Sequence, residues 1–232
     1  MQIAIITTPR EPVYVYETIA QIQPGLAIGE SIELFSDDPS HTLDYERRLG
    51  AKHRKMPPTL WQVASGMKRY QRACLNFLSA LLSGWGDLVL FEDDIKLKPS
   101  WRYLLQGIID ESQADLVSLY WPDDGHLKHV QHSQGYYWRE YKTPVTFHGS
   151  LGLYVKGYMR CAFTHHLQRA LLRHQQGIED LLPFDNCVAA LCNEHPVTMV
   201  AAMPALVDHR GEVSAIPENA SHGLRRSPGY TE

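Results

Sequence analysis

The feature that most constrains this chain is an apolar run that ends in three consecutive carboxylates. Residues 88–91 read Leu-Val-Leu-Phe, and Glu92, Asp93 and Asp94 follow directly. An uninterrupted apolar run of this length is typical of a strand that is buried on both faces of a parallel sheet. Three adjacent anions at the end of such a strand repel one another, so we expect a positive charge beside them. We call these three residues the acidic triplet.

Two interpretations of the acidic triplet are open from the residues alone. Magnesium and manganese are bound by one or two carboxylates together with phosphate oxygens and waters, and open α/β sheets place ligands at the carboxyl ends of their strands. Alternatively, the triplet solvates a turn and favours the N-terminus of the next helix, where negative charge is stabilised.

The remaining chain predicts strands and helices in alternation, with a mixed interval between residues 121 and 146. The strands are predicted at residues 3–7, 31–35, 87–91, 114–120, 152–155, 197–202 and 205–209, and the helices at 60–82, 100–109, 158–174 and 178–192. The aromatic segment 135–141 predicts an antiparallel excursion at the sheet edge. The predicted fold class is therefore α/β, with a mixed, mainly parallel sheet flanked by helices and a small antiparallel excursion.

Composition and length are those of one globular unit. The 232 residues are 44% hydrophobic and 21% charged, which is enough for one substantial core. We predict a single catalytic domain over residues 1–212 and a C-terminal tail or lid over 213–232. The net charge of -4 argues against electrostatic binding of nucleic acid over a broad surface.

Localisation and redox state follow from the absence of the corresponding signals. The first ten residues lack the basic and apolar regions of a signal peptide, and the apolar segment 74–85 is shorter than the ~20 residues of a spanning helix. We therefore expect a cytoplasmic protein without a transmembrane segment. Its cysteines form no CxxC pair, and we interpret them as reduced, buried thiols: Cys74, Cys161, Cys187 and Cys192.

Two segments carry a resemblance to a known family. Residues 85–101, Trp-Gly-Asp-Leu-Val-Leu-Phe-Glu-Asp-Asp-Ile-Lys-Leu-Lys-Pro-Ser-Trp, resemble the metal-binding strand of GT-A glycosyltransferases. They look most like lipopolysaccharide glycosyltransferases and N-glycan-branching N-acetylglucosaminyltransferases, whose DxD-type motif is written E-D-D. Residues 204–214, Pro-Ala-Leu-Val-Asp-His-Arg-Gly-Glu-Val-Ser, look like the P-x-L-V-x-H-x-G-x-x-S segment of the same enzymes. The resemblance implies a GT-A, Rossmann-like fold.

The resemblance also implies a nucleotide-sugar donor and a divalent cation, Mn²⁺ or Mg²⁺. Asp94 would ligate the metal, Glu92 or Asp93 would contact the ribose or the sugar, and the donor diphosphate would complete the coordination shell. His209 would supply another ligand, although it could equally be a surface histidine. The other residues in donor-binding positions are Thr7, Thr8, Arg10, Asp37, Asp38, Arg72 and Asn76.

Transfer of a sugar with inversion requires one base that takes the proton of the acceptor hydroxyl. Asp185 follows Pro183 and Phe184 and resembles the aspartate that begins the corresponding helix in related transferases. Its alternative role is that of a helix N-cap, for which aspartate is a favoured residue. Glu179 and Asp180 are neighbours that could replace it as the base.

The segment 146–152 is rich in small residues that would let a backbone approach a sugar. His148 and Ser150 could hydrogen-bond the sugar hydroxyls, and we assign Ser150 to the donor site, although the glycines could equally mark a bulge. An aromatic group could form a stacking platform or simply pack at a sheet edge. Its members are Tyr120, Trp121, Tyr136, Tyr137, Trp138 and Tyr141.

The sequence thus predicts a metal-dependent glycosyltransferase that acts on an acceptor hydroxyl. The acceptor classes left open are a saccharide, a lipid-linked glycan, a protein and a modified DNA base. A metal-dependent phosphohydrolase or nuclease ranks lower, because such sites draw carboxylates from several strands and no second acidic cluster pairs convincingly with the triplet. A binding module for nucleotide-sugars or glycans that has lost turnover is the third possibility.

Overall fold

A computed structural model describes residues 1–7, 13–36, 50–56, 58–121, 124–128, 131–133 and 136–210. Its strands are β1 (Gln2–Thr7), β2 (Ile32–Ser36), β3 (Lys52–Lys55), β4 (Leu88–Glu92), β5 (Ile95–Leu97), β6 (Leu116–Ser118), β7 (Gln131–Ser133), β8 (Tyr136–Glu140), β9 (Gly152–Val155), β10 (Met199–Met203) and β11 (Val207–His209). Its helices are α1 (Val15–Ile22), α2 (Pro58–Ala64), α3 (Arg69–Leu82), α4 (Trp101–Ser112), α5 (Gly157–Gln175) and α6 (Phe184–Glu194), and two 3-10 turns span Gln23–Gly25 and Asp124–His126.

Within the described residues, the strands form a nine-stranded mixed sheet and a separate two-stranded sheet. The order in the large sheet is β3-β2-β1-β4-β9-β6-β10-β8-β7, and β5 pairs with β11 in the small one. Strands β1, β2, β3 and β4 are mutually parallel, whereas β9 runs antiparallel to both β4 and β6, and β8 runs antiparallel to β10. This architecture confirms the predicted fold class and its antiparallel excursion.

Apolar side chains cover both faces of the large sheet because alternate residues of a strand point to opposite sides. In β4, Leu88 and Leu90 pack with helices α3, α5 and α6, whereas Val89 and Phe91 pack with α1 and α4. Each of these four side chains is fully buried. Full burial of such a side chain stabilises the fold by about 1.5–3 kcal/mol. The helices therefore fix β4, and with it the triplet, from both sides.

The single helix predicted over residues 60–82 is wrong, because the chain forms α2 and α3 with a break between them. Gly66 lies in the break and favours it, since glycine is a poor helix former. Lys68 is extended, with φ -62° and ψ 157°, and precedes α3. Its backbone N–H donates to the Gln71 side chain at 3.0 Å, which satisfies one of the donors at the new helix start.

The helix predicted over residues 178–192 begins later, at Phe184. Pro183 occupies the N-cap with ψ 151°, and a proline disfavours a helical conformation in the residue before it. The segment between α5 and α6 is therefore a loop.

The described residues include no helix that is long and apolar enough to cross a membrane. The four cysteines are free, and Cys74, Cys187 and Cys192 are buried as predicted. The prediction for Cys161 is wrong, because this residue lies on the exposed side of α5.

Candidate active site

The acidic triplet lies at the carboxyl end of β4, where three elements of the large sheet meet. The parallel pairing of β1 with β4 places Ile6 opposite Glu92. The antiparallel pairing of β4 with β9 places Phe91 opposite Gly152, and the Glu92 N–H donates to the Leu151 carbonyl at 3.1 Å. The end of β1 and the beginning of β9 therefore flank the triplet.

Asp93 points into the protein between β1 and α1. Its carboxylate Oδ2 accepts a hydrogen bond from the Thr7 hydroxyl at 2.7 Å, and its backbone carbonyl accepts one from the Thr18 hydroxyl at 2.7 Å. Asp93 is only 1% exposed. Of the two residues predicted to contact the ribose or the sugar, Glu92 is the more accessible one.

Asp94 and His209 come together although they are distant in the sequence. The His209 Nε2 lies 3.5 Å from the Asp94 Oδ2, and both side chains are largely buried. This proximity follows from the antiparallel pairing of β5 with β11, which places His209 opposite Ile95, and from a 2.7 Å bond between the Arg210 N–H and the Asp94 carbonyl. The Arg210 side chain forms an ion pair with Glu17 of α1.

Carboxylate and imidazole are both ligands of manganese, and magnesium is usually bound through one or two carboxylates plus phosphate oxygens and waters. The described part of the chain contains no group of three or more His, Cys, Asp or Glu residues that could hold a metal ion. Asp94 and His209 therefore fit a cation whose remaining ligands come from a phosphorylated substrate and water.

Ser150 connects the triplet to the turn before β9, because its hydroxyl donates a hydrogen bond to the Glu92 carboxylate. The preceding Gly149 leaves no space for a side chain: a Cβ there would lie 2.8 Å from the Tyr120 carbonyl oxygen and 3.4 Å from the Ser118 hydroxyl. Gly152 is equally confined, at 3.0 Å from side-chain atoms of Leu119 and Val207. The small residues of this segment therefore accommodate neighbouring protein atoms.

Asp185 lies in the first turn of α6. Its carboxylate interacts with the turn before β9, at Gly149 and Ser150. Pro183 is the N-cap, so the alternative role of Asp185 as the N-cap is wrong. Burial raises the pKa of Asp185 from 3.8 to about 6, and hydrogen bonds from the Ser150 hydroxyl and from the N–H groups of Gly149 and Ser150 oppose this rise. Its Oδ1 is shielded from solvent and has no hydrogen-bond partner among the described residues.

The other candidate bases bind side chains of α5. Glu179 accepts a hydrogen bond from Arg173 Nε at 2.9 Å, and Asp180 lies 3.6 Å from His174 Nδ1 with 70% of its side chain exposed. Neither residue shares the contacts that Asp185 makes with Ser150.

Helix α3 carries the two predicted donor-facing residues. It packs against β1, β2 and β4. Asn76 is 1% exposed, and its side-chain Oδ1 has no hydrogen-bond partner in the described residues. Arg72 is half-buried and its Nη1 lies 3.4 Å from the Met67 carbonyl. Thr8, Arg10, Asp37, Asp38 and the tail 213–232 lie outside the described residues, and their roles stay predictions.

Three members of the predicted aromatic group pack inside the protein. Tyr120, Trp121 and Tyr141 are buried, and the Trp121 indole N–H donates to the Ala202 carbonyl at 2.8 Å. Tyr137 is 47% exposed. His148 is exposed near the site, and its ring centre lies 6.0 Å from that of His126.

Thr18 is a site residue that the sequence reasoning missed. It is fully buried in the apolar stripe of α1, beside Val15, Ile19 and Ile22. A hydroxyl in such a stripe needs a hydrogen-bond partner, because buried polar groups are rarely left unsatisfied. That rule was the available signal, and the partner is the backbone of the triplet.

Comparison with known proteins identifies the class of fold. No protein-family model matches the sequence, and no curated protein matches it. Among solved structures, a putative glucose-1-phosphate thymidylyltransferase from Bacillus anthracis in complex with sucrose is similar over 100% of this chain and 98% of that chain, with a TM-score of 0.51 and 10% identity. S. aureus TarS 1–349 is similar over 88% of this chain and 58% of its own, with a TM-score of 0.50 and 10% identity.

Glucosyl-3-phosphoglycerate synthase from Mycobacterium tuberculosis, in complex with Mn²⁺, uridine diphosphate and glucosyl-3-phosphoglycerate, matches only 50% of this chain and 43% of its own. Its TM-score is 0.36 and its identity 17%. The first two similarities show the GT-A and nucleotidyltransferase type of Rossmann-like fold. They confirm the predicted fold but do not show the activity.

Proposed function

We propose that this protein is a metal-dependent glycosyltransferase that moves a sugar from a nucleotide-diphosphate sugar to an acceptor hydroxyl with inversion. The observation that carries the proposal is the arrangement at the carboxyl end of β4. The candidate metal ligands Asp94 and His209 lie on one side of the triplet, and Glu92 leads through Ser150 to the buried carboxylate of Asp185 on the other. This arrangement supports a donor side and an acceptor side at one strand end.

Asp94 and His209 would hold Mn²⁺ or Mg²⁺ together with the donor diphosphate. When bound, such a cation supplies positive charge that stabilises the departing diphosphate. Glu92 would accept hydrogen bonds from hydroxyls of the donor, and Asn76 and Arg72 would bind it from α3. Asp93 supports the triplet from inside through Thr7 and Thr18.

Asp185 would act as the base. Its Oδ1 has no partner among the described residues and would accept the proton of an acceptor hydroxyl. A pKa of about 6 leaves the carboxylate ionised at neutral pH and close to the operating range that favours general-base catalysis.

The test is release of nucleoside diphosphate from UDP-, GDP- and dTDP-sugars in the presence of Mn²⁺. Asp94→Asn should lower the affinity for Mn²⁺ by at least the about 10–100-fold that loss of an outer-shell partner costs, and should lower the activity with it. Asp208→Asn, at the neighbouring position of β11, is the matched control and should retain Mn²⁺ affinity. Full activity of Asp94→Asn, or of the wild type after chelation, would refute the proposed metal site.

Sugar-phosphate nucleotidyl transfer is the second candidate, because the thymidylyltransferase similarity extends along the whole of both chains. That reaction consumes a nucleoside triphosphate and releases pyrophosphate. It needs no base on the acceptor side at Asp185. Pyrophosphate release from dTTP and glucose 1-phosphate that survives Asp185→Asn would therefore favour it over glycosyl transfer.

A further inference from the structure

Helix α1 presents polar side chains to the segment that follows β4. We call three of them the polar edge of α1: Glu17, Thr18 and Gln21. The Thr18 hydroxyl donates to the Asp93 carbonyl at 2.7 Å. The Gln21 side chain accepts the Leu97 N–H at 2.8 Å, and its Nε2 lies 3.5 Å from the Ile95 carbonyl. The polar edge therefore covers backbone groups at the side of β5 that does not pair with β11.

Arg210 joins the end of β11 both to β5 and to the polar edge. Its backbone N–H donates to the Asp94 carbonyl at 2.7 Å, and its Nε donates to the Ile95 carbonyl at 3.3 Å. Its guanidinium forms an ion pair with Glu17, whose side chain is 56% exposed. The residue that follows His209 is therefore bonded to the β5 segment and to α1 at the same time.

The spacing of the two candidate metal ligands depends on these contacts. Asp94 directly precedes β5, and His209 is the last residue of β11, so the 3.5 Å between their side chains requires the observed register of the two strands. Each strand has only 3 residues, and an isolated pair of strands is marginally stable at best. Contacts from outside the pair therefore help to hold the register.

We propose that Arg210 is a positioning residue of the cation site and that Glu17 holds it in place. The ion pair fixes the end of β11 against α1 and thereby keeps His209 beside Asp94. The inference rests on the proposed function and adds two residues that act through the metal ligands. Residues that orient metal ligands contribute about 10–100-fold to metal affinity, whereas an ion pair with an exposed partner contributes little to folding stability. Loss of the pair should therefore lower the affinity for Mn²⁺ while the protein stays folded.

The experiment measures the binding of Mn²⁺ alone, by electron paramagnetic resonance of the free ion, in the wild type and in two variants. Glu17→Gln removes the charge and keeps the length of the side chain. Arg210→Met removes the guanidinium and keeps the backbone N–H that binds Asp94. Each substitution should raise the dissociation constant of Mn²⁺ by about 10-fold. An unchanged dissociation constant in either folded variant, or a wild type that binds no Mn²⁺, would overturn the proposal.

The double variant Glu17→Gln/Arg210→Met tests whether the two residues act as a pair. Both substitutions remove the same ion pair, so the double variant should bind Mn²⁺ about as weakly as Arg210→Met alone. Losses that multiply to about 100-fold would mean that the residues act independently, and the proposed pairing would be wrong. Circular dichroism establishes that each variant is folded, and the exposed position of Glu17 makes Glu17→Gln the safer of the two.

The matched control is Arg102→Met. Arg102 on α4 has 23% of its side chain exposed, close to the 25% of Arg210, and its ion-pair partner at 2.8 Å is Glu30. This variant should bind Mn²⁺ like the wild type. A comparable loss of affinity in Arg102→Met would assign the effect to general destabilisation and contradict a positioning role.

A guanidinium that binds the donor diphosphate directly would give a different result. Arg210→Met would then raise the KM for a nucleotide-sugar, and Glu17→Gln would leave Mn²⁺ binding unchanged, which overturns the positioning role. If both variants weaken Mn²⁺ binding while no UDP-, GDP- or dTDP-sugar is turned over, the positioning role stands and the proposed glycosyl transfer fails. Turnover by the wild type together with unchanged Mn²⁺ binding in Glu17→Gln would give the reverse conclusion.

Discussion

Arg160 provides the sharpest test of how the fold is held together. This arginine of α5 is 2% exposed and lies among backbone carbonyls at the end of α3. Its guanidinium donates to the carbonyls of Ala80 at 2.9 Å, Leu81 at 3.0 Å and Gly86 at 2.9 Å, and to the Gln2 side chain at 2.8 Å. It therefore donates to carbonyls at and beyond the end of α3 and ties α3, α5 and β1 together.

The expected cost of Arg160→Met follows from these contacts. Methionine keeps the apolar stem but leaves four acceptors without their donor, and hydrogen bonds to a charged group are worth about 1.5–3 kcal/mol each. Burial lowers the pKa of Arg160, which shows that desolvation of the cation offsets part of this gain. At a net of about 1 kcal/mol for each acceptor, the variant should lose about 4 kcal/mol of unfolding free energy. That is a large share of the ~5–15 kcal/mol that stabilises a typical domain.

Urea unfolding followed by far-UV circular dichroism measures this loss. The matched control is Arg169→Met on the same helix, because Arg169 is about half exposed and lies 3.8 Å from Glu194. An exposed ion pair of this kind contributes about 0–1 kcal/mol. If Arg160→Met unfolds within about 1 kcal/mol of Arg169→Met at an unchanged slope of free energy against urea, the hydrogen bonds of the buried guanidinium do not stabilise the fold.

Three further predictions follow from the site. Gly149→Ala should lower the unfolding free energy by about 1–3 kcal/mol, because the added methyl meets the Tyr120 carbonyl, whereas Gly86→Ala, with nothing within 4 Å, should change it little by the same urea assay. Asp185→Asn should abolish donor-dependent transfer. In thermal unfolding, the variant should be more stable than the wild type at pH 7.5 but not at pH 4. The folded pKa of about 6 exceeds the 3.8 of a free aspartate, so ionisation costs stability as the pH rises between these values; an equal difference at both pH values would contradict this. Finally, a thiol reagent should label one cysteine rapidly in the native protein, and Cys161→Ser should remove that fast phase, since the other three thiols are buried; rapid labelling of the variant would show that one of them is accessible.

Local sequence patterns predicted which helices and strands form better than they predicted the boundaries of these elements or the order of the strands in the sheet. The apolar run before the triplet is strand β4, as expected from its composition. The break between α2 and α3 was missed because apolar residues continue at three- and four-residue steps through it, so periodicity alone cannot show it. The insertion of β9 between β4 and β6 depends on pairing between distant residues, which no local pattern encodes.

The same distinction applies to the candidate site. The three carboxylates after an apolar strand indicated the triplet, and the family resemblance indicated His209. Neither showed that β11 pairs with β5 and brings His209 to Asp94. The contact between Ser150 and Glu92 likewise depends on the antiparallel direction of β9. Residue types could be predicted from the sequence, whereas their partners required the sheet topology.

The two-stranded pairing of β5 with β11 also has a consequence for folding. The contacts at the triplet join residues far apart in the chain: 58 positions separate Ser150 from Glu92, 86 separate Thr7 from Asp93, and 115 separate Arg210 from Ile95. Closing such long loops lowers the chain entropy before the new contacts contribute any stabilising free energy. Contacts between distant residues therefore slow folding. We therefore expect the strands and helices to form first and the site to be completed late, only after residue 209 has been synthesised and β11 has paired.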